Sequence, residues 1–270
     1  MPDHALTVRI SAATHKGYVR QLNEDAILAG DWVGYGESTS HKFERVVDSR
    51  GLLLAVADGL GGHRAGELAS RFVVDELLRR AMPASLARDE SFADMLRKID
   101  SDLRDQAIGV PSLQGMGSTL AAAYVSVSGL TVANVGDSRA YVFNDRDGLR
   151  QISLDDVPRP APYEGQPKGR RRTTHAITQA FGGSALRSRP LRPHILRLPA
   201  SRGGSSLLLC SDGLSDLVDD GGLTEALASE RIGADDLVRQ ALEAGGIDNI
   251  SAIVARFGSW DVSSLESCGP

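Results

Sequence analysis

The sequence predicts a mixed α+β protein, and three observations carry that expectation. Two stretches repeat apolar residues at helical spacing, most other apolar runs are short and β-branched, and acidic residues recur where those short runs begin or end. Glu67 to Ala81 places Leu68, Phe72, Val73, Leu77 and Ala81 on one stripe, with Glu67, Arg71, Asp75 and Arg79 elsewhere. Asp89 to Ile108 repeats the pattern with Phe92, Leu96, Ile99 and Leu103. Strands are expected at Leu52–Ala57, Thr119–Val127, Leu130–Val135, Ala140–Asn144, Ser206–Cys210 and Ile250–Phe257, each bounded by Gly, Asp, Asn or Ser. Val127-Ser128-Gly129-Leu130 reads as a hairpin turn between two of them.

Composition narrows the class further. The 270 residues are 41% hydrophobic and 24% charged, enough apolar material for a buried core in one large domain or two small ones. Leu52 to Ala57, which no other unbroken apolar stretch exceeds in length, is far below the ~20 residues of a membrane span. Met1 to Ile10 carries Asp3, His4 and Arg9 and lacks a signal-peptide core. Two cysteines, Cys210 and Cys268, make no disulfide scaffold, and Cys210 reads as a small buried hydrophobe. A net charge of −5 gives no nucleic-acid footprint. A soluble, cytoplasmic protein is the expectation. The segment Val157–His175 stands apart, with four prolines, five basic residues and one acid, and is expected to be a loop or small lobe.

The acids set the chemistry. Leu52–Ala57 runs into Asp58-Gly59, Leu130–Val135 into Gly136-Asp137, and Leu207–Cys210 into Ser211-Asp212-Gly213. Asp248 instead precedes the strand Ile250–Phe257, and Glu24-Asp25 precedes the run Ala26–Ala29. If the strands that end in acid lie antiparallel to those that begin with it, all these carboxylates share one edge. Such a cluster repels itself unless a cation neutralises it, and oxygen-only donors favour Mg²⁺ or Mn²⁺. The competing reading is that each Asp-Gly is simply a turn; repetition at several strand ends leaves the two readings about level. The six histidines show no zinc spacing, the glycines around Gly59 to Gly66 do not form a dinucleotide loop because Arg64 stands where glycine is needed, and no G-x-S-x-G elbow exists.

Taken together, six segments resemble the bacterial branch of the metal-dependent protein phosphatases of the 2C type. They are Gly17-Tyr-Val-Arg20-Gln-Leu-Asn23-Glu24-Asp25, Val56-Ala-Asp58-Gly-Leu-Gly-Gly-His-Arg-Ala-Gly-Glu67-Leu-Ala-Ser70, Met116-Gly-Ser-Thr119, Val135-Gly-Asp137-Ser-Arg-Ala-Tyr141, Leu209-Cys-Ser-Asp212-Gly-Leu-Ser-Asp216 and Asp248-Asn-Ile-Ser251. They run in family order across nearly the whole chain. The resemblance implies an α+β, four-layer αββα sandwich: two antiparallel β-sheets flanked by antiparallel helix pairs. It implies one catalytic domain over residues 1–270, with the Pro/Arg-rich segment at 157–175 as its flap. It also implies two Mn²⁺ or Mg²⁺ ions, bridged by Asp58, with the Gly59 carbonyl on the first and Asp212 and Asp248 on the second. Glu24 and Asp25 then hold ions through water, and Asp137 and Asp216 match the ligands of a third, weaker site. The implied reaction is hydrolysis of phosphoserine and phosphothreonine in proteins by a metal-bridging hydroxide, with Arg20 gripping the phosphoryl oxygens.

The resemblance further implies a monomer that counters a bacterial Ser/Thr kinase and has no nucleic-acid or membrane partner. The alternatives are a phosphoprotein-binding pseudophosphatase and a partner-switching phosphatase acting on anti-sigma antagonists. The sequence also departs from the family pattern. Leu60 stands where animal relatives place a histidine acid, leaving His63 as the nearest imidazole; Ser153-Leu-Asp155-Asp156-Val157 replaces Thr-x-Asp-His-Ser; and Ser251 replaces the commoner Thr. Arg170, Arg171 and Arg172 are candidates for attracting acidic phosphoproteins.

Overall fold

The computed structural model describes residues 6–61, 64–82, 86, 88–158, 176–183, 190–199 and 205–258. Cys268, His63 and Arg170 to Arg172 lie outside these residues, as does all but the start of the 157–175 segment. Among the described residues fourteen strands form two antiparallel sheets. The first has the order β10 (Gly148–Gln151), β9 (Arg139–Asn144), β13 (Ser205–Cys210), β14 (Ile250–Phe257), β1 (Thr7–His15), β4 (Ser38–Val46). The second runs β11 (Phe181–Gly182), β6 (Gly117–Ser118), β5 (Leu52–Leu60), β7 (Leu120–Ser126), β8 (Gly129–Val135), β12 (His194–Pro199). In that sheet β2 (Asp25–Ala29) also pairs with β5 and with β3 (Trp32–Gly34).

Five α-helices and a short 3-10 helix (Pro111–Leu113) complete the described elements, the α-helices being α1 (Arg64–Arg80), α2 (Asp89–Gln106), α3 (Asp212–Ser215), α4 (Asp220–Ala228) and α5 (Ala234–Glu243). Three apolar clusters show how the layers stack. Val8, Ile10 and Ile253 of the first sheet meet Ile27, Leu54, Val56 and Val132 of the second between the sheets. On the far side of the second sheet, Leu28, Ala55 and Ala57 pack against Val73, Leu77, Phe92 and Leu96 of α1 and α2. On the far side of the first, Leu208, Ala252 and Val254 pack against Leu223, Leu237 and Ala241 of α4 and α5. The molecule is therefore the expected four-layer αββα sandwich.

Local sequence explains the elements. Strands β5, β7, β8, β13 and β14 are buried on both faces, as strands between a sheet and a helix layer must be, and so read as continuous apolar runs. The hairpin turn falls one residue earlier than expected, with Val127 and Ser128 at its tip and Ser126 opposite Gly129. Helix α2 buries Phe92, Leu96, Ile99 and Leu103 and carries Asp89 and Glu90 in its first turn, where the helix dipole favours acids. The expected stripe on α1 needs correction. Leu68 is 48% exposed, and the stripe that enters the core is Ala65, Ala69, Val73 and Leu77. Small alanines at four-residue spacing let the first half of α1 lie close on β5, which turns Leu68 outward.

Candidate active site

Strand directions bring the acids to one edge. Asp25 at the start of β2 lies opposite Asp58 near the end of β5. Strands β13 and β14 are antiparallel, with Cys210 opposite Ala252, so Asp212 and Asp248 flank the same end. Strand β8 runs parallel to β5 because both pair antiparallel with β7, which delivers Gly136-Asp137 to that end too. The carboxylates sense one another. Burial first, then the charges of Asp25, Asp212, Asp137 and Asp248, holds the Asp58 carboxyl well above the ordinary carboxylate range. Asp137 is pushed up to about 7, again by burial first and then by Asp212, with Asp155 and Asp216 adding to it.

Asp25 has the most enclosed carboxyl of the group. It is fully buried, and burial raises it to about 7 against two hydroxyl donors that favour its ionised form. Ser251 Oγ donates to Asp25 Oδ2 at 2.6 Å and Ser211 Oγ donates to the same oxygen at 2.8 Å. Thr14 Oγ1 accepts from Asn23 Nδ2 and, because the one Ser251 hydroxyl proton goes to Asp25, donates its own to Ser251 Oγ at 2.7 Å, extending the network to β1. Asp25 belongs to the second sheet, while Ser211, Ser251 and Thr14 belong to the first. Asn249 adds a second tie between the sheets, accepting from Glu24 N and donating to the carbonyls of Lys16 and Leu22. The hydroxyls of Thr14, Ser211 and Ser251 escaped the role assignment from sequence. Thr14 and Ser211 signalled themselves only as polar residues inside or beside an apolar run, while Ser251 was marked only as standing in for the commoner Thr.

Two glycines shape the floor. A Cβ on Gly59 would stand 2.2 Å from the Gly66 carbonyl oxygen, and one on Gly66 would stand 2.6 Å from Glu24 Oε2. Their absence lets β5 touch the first turn of α1, with the Glu24 carboxylate against that turn. Glu24 is fixed through its backbone, whose carbonyl accepts from Gly59 N at 3.1 Å and Ser70 Oγ at 2.5 Å.

Arg20 reaches the same edge and donates from Nη2 to Asp248 Oδ2 at 2.6 Å, with its side chain 54% exposed. That bond, reinforced by the charges of Asp248, Asp58 and Glu24, keeps the guanidinium firmly protonated. Among the described residues no three His, Cys, Asp or Glu side chains form a preformed ion cage. Asp248 is turned onto Arg20. In chemistry the donor set still fits hard divalent cations. It is all oxygen, its negative charge exceeds what Arg20 offsets, and Asp25 Oδ1 is buried with no hydrogen-bond partner. Asp216 is exposed at the end of α3, and Leu60 follows Gly59 on β5 without an ionisable group. Cys210 is buried, and burial pushes its thiol up to about 12, which makes it unreactive.

A two-sheet sandwich with carboxylates crowded at a single end of its strands is a scaffold for metal-assisted hydrolysis. The family model for protein phosphatase 2C matches residues 40–243, and the chain belongs to that family. It is 35% identical over 275 residues to the serine/threonine protein phosphatase PstP of Mycobacterium tuberculosis, covering 97% of this chain and 47% of that protein. It is 31% identical over 214 residues to the serine/threonine phosphatase Stp of Listeria innocua, covering 75% of this chain and 83% of that one. The chain thus spans about half the length of the first curated relatives it matches. Among solved structures, the catalytic domain of PstP in complex with two manganese ions superposes with a TM-score of 0.71 at 32% identity, covering 93% of this chain and 99% of that one. PppA, a key regulatory component of T6SS in Pseudomonas aeruginosa, superposes with a TM-score of 0.69 at 29% identity, covering 93% and 100%.

Proposed function

We propose that this chain is a Mn²⁺- or Mg²⁺-dependent protein serine/threonine phosphatase, a single catalytic domain acting as a cytoplasmic monomer against a Ser/Thr kinase. The observation that carries the reading is the convergence of Asp25, Asp58, Asp137, Asp212 and Asp248 on one edge beside an exposed arginine. Similarity to PstP, whose catalytic domain was solved with two manganese ions, supports the choice of metal. Among the described residues no helix is long and apolar enough to cross a membrane.

In this reading Asp58, the Gly59 carbonyl, Asp212 and Asp248 would hold two ions, and Glu24 and Asp25 would orient the water around them. The ions would supply charge neutralisation and water acidic enough to act as nucleophile near neutral pH. Arg20 exchanges its partner, leaving Asp248 for the phosphoryl oxygens, whose geometry its planar fork matches. The network from Thr14 through Ser251 and Ser211 holds Asp25 in one rotamer, so no reorganisation is needed during reaction. Leu60 has no proton to donate to the departing serine or threonine oxygen, and we assign that task to water, with His63, which lies outside the described residues, as the alternative acid.

Hydrolysis of a phosphothreonine peptide should require Mn²⁺ or Mg²⁺ and stop in EDTA. Asp58→Asn should abolish nearly all turnover while retaining the wild-type circular dichroism spectrum. Full activity after metal stripping would overturn the reading. Phosphopeptide binding without turnover in Mn²⁺ would make the chain a pseudophosphatase.

A further inference from the structure

Asp156 is not one of the clustered acids, yet it is bonded by three separate pieces of chain: Gly136, Thr178-Gln179 and His194. Its Oδ2 accepts from Gly136 N at 2.9 Å and from Gln179 Nε2 at 2.9 Å. Its Oδ1 lies 2.8 Å from His194 Nε2 on β12; a carboxylate only accepts, so that nitrogen carries the proton. Its backbone N–H donates to the Gly136 carbonyl at 2.9 Å, and its carbonyl accepts from Thr178 N at 2.7 Å. Gln179 is itself pinned beside β12, accepting from Arg192 N and donating to the Arg192 carbonyl. The nearby Leu154 is equally fixed, since it exchanges two hydrogen bonds with the Asn134 amide of β8.

The bonds on Gly136 matter because this residue leads directly into Asp137 and Ser138. Gly136 has φ +90°, a conformation suited to glycine, and a Cβ there would meet Thr119 Cγ2 at 2.7 Å. Asp156 grips this residue through both its N–H and its carbonyl, so the path of Asp137 and Ser138 is set from behind. Ser138 Oγ and Thr119 Oγ1 are 2.6 Å apart and buried. Thr119 in turn accepts from Asp58 N at 3.1 Å and donates its own N–H to the Asp58 carbonyl at 2.8 Å. A continuous line of hydrogen bonds and packing therefore runs from β12 to the acid at the heart of the edge.

We propose that Asp156, steadied by His194 and Gln179, is a positioning residue that sets the Gly136–Ser138 loop and, through Thr119, the backbone of Asp58. It touches neither substrate nor ions. Only its consequence for catalysis rests on the phosphatase reading; the mechanical coupling stands apart from it.

The test compares wild type with Asp156→Ala, Asp156→Asn and His194→Ala. In metal-stripped protein, hydrogen exchange read by mass spectrometry should quicken at least tenfold in peptides covering 135–138 and 57–59. Peptides from β1 should stay at wild-type rates. Quickening at 135–138 with 57–59 unchanged would overturn the coupling. Calorimetric titration with Mn²⁺ alone should show affinity weakened about tenfold, the low end of what losing a supporting partner costs a metal site. Turnover of a small aryl phosphate should show reduced kcat with KM within twofold; a change confined to KM would mean that Asp156 contacts substrate and would refute positioning. Asp156→Asn keeps one acceptor oxygen and should fall between wild type and Asp156→Ala. If Asp156→Ala does not fold, His194→Ala and Asp156→Asn carry the same comparisons. A wild type that binds no Mn²⁺ and turns over no phosphopeptide would sink the phosphatase reading, while the exchange data would still decide the coupling.

Discussion

Replacing Asp137 with Asn should stabilise the metal-stripped protein at pH 7.5, and by only about a third as much at pH 5. In the folded chain burial, helped by the charge of Asp212, lifts the Asp137 carboxyl to about 7; in the unfolded chain it returns to the ordinary value of 3.8. Between those values the folded state keeps a proton that the unfolded state has released. The contribution to stability is therefore fully present below the unfolded value and is lost as pH rises through 7. About three units at about 1.36 kcal/mol each give about 4 kcal/mol at full effect. Because Asp212 and Asp137 share their repulsion and can relax together, a gain of about 2–4 kcal/mol is expected for the Asn variant at pH 7.5. For a chain of this size that raises Tm by roughly 5–10 °C. At pH 5 the folded acid keeps its proton while the unfolded one, at a pH about 1.2 units above its own value, has lost it, so the gain from Asn there is at most about 1.6 kcal/mol. Thermal unfolding in EDTA, followed by circular dichroism at both pH values, measures the difference. An equal Tm shift at both pH values, or destabilisation at pH 7.5, would refute the burial and repulsion argument.

Three further outcomes are expected from the geometry. Arg20→Ala should raise KM for a phosphothreonine peptide roughly 10–100-fold, the worth of a charged hydrogen bond of about 1.5–3 kcal/mol, with Arg20→Lys in between; an unchanged KM would place phosphate recognition elsewhere. Gly59→Ala should cost about 1–3 kcal/mol in urea unfolding and most of the activity, because its methyl would press on the backbone carbonyls of Gly66 and Glu24; wild-type behaviour would show that the approach of β5 to α1 can open freely. Asp100, buried on α2, accepts from Gly182 N at 2.8 Å and from Arg104, so Asp100→Ala should destabilise by about 2–3 kcal/mol, and a loss under about 0.5 kcal/mol in urea unfolding would mean that water replaces the carboxylate.

Legibility in the sequence varied with the environment of each element. Strands buried on both faces announced themselves: the expected bounds of β14 match those observed, and β5 differs only by running on through Asp58 to Leu60. Edge strands did not. In β4, Ser-Thr-Ser-His-Lys-Phe-Glu-Arg-Val alternates half-covered and exposed residues and offers almost no apolar signal, as suits a strand that must not recruit another. Strand β1 was hidden by Arg9 and its alanines, although Val8, Ile10 and Ala12 all enter the core between the sheets. Helices α4 and α5 are short, and most of the apolar face of α4 is alanine and leucine beside two glycines. At the site, carboxylates could be read from their place at strand ends, because an acid next to an apolar run is conspicuous. The supporting hydroxyls could not, since Ser and Thr are unremarkable anywhere. Asp156 stood out as a departure from the family pattern, but its partner His194 is 38 residues away and nothing in local sequence joins them.

The cross-sheet bonds on Asp25 bear on how such a protein can change over time. Apart from apolar packing, the two halves of the sandwich are pinned where Asp25 meets Ser211 and Ser251 and where Asn249 meets Glu24. The groups that would perform chemistry are thus also fasteners of the architecture. A lineage abandoning catalysis would shed the exposed Arg20 cheaply, whereas losing Asp25 would unlatch the halves unless an apolar or amide substitute arose with it. Decay of activity should therefore start at the rim and reach the clasp last, leaving inactive descendants that still carry the buried acid and its two serines.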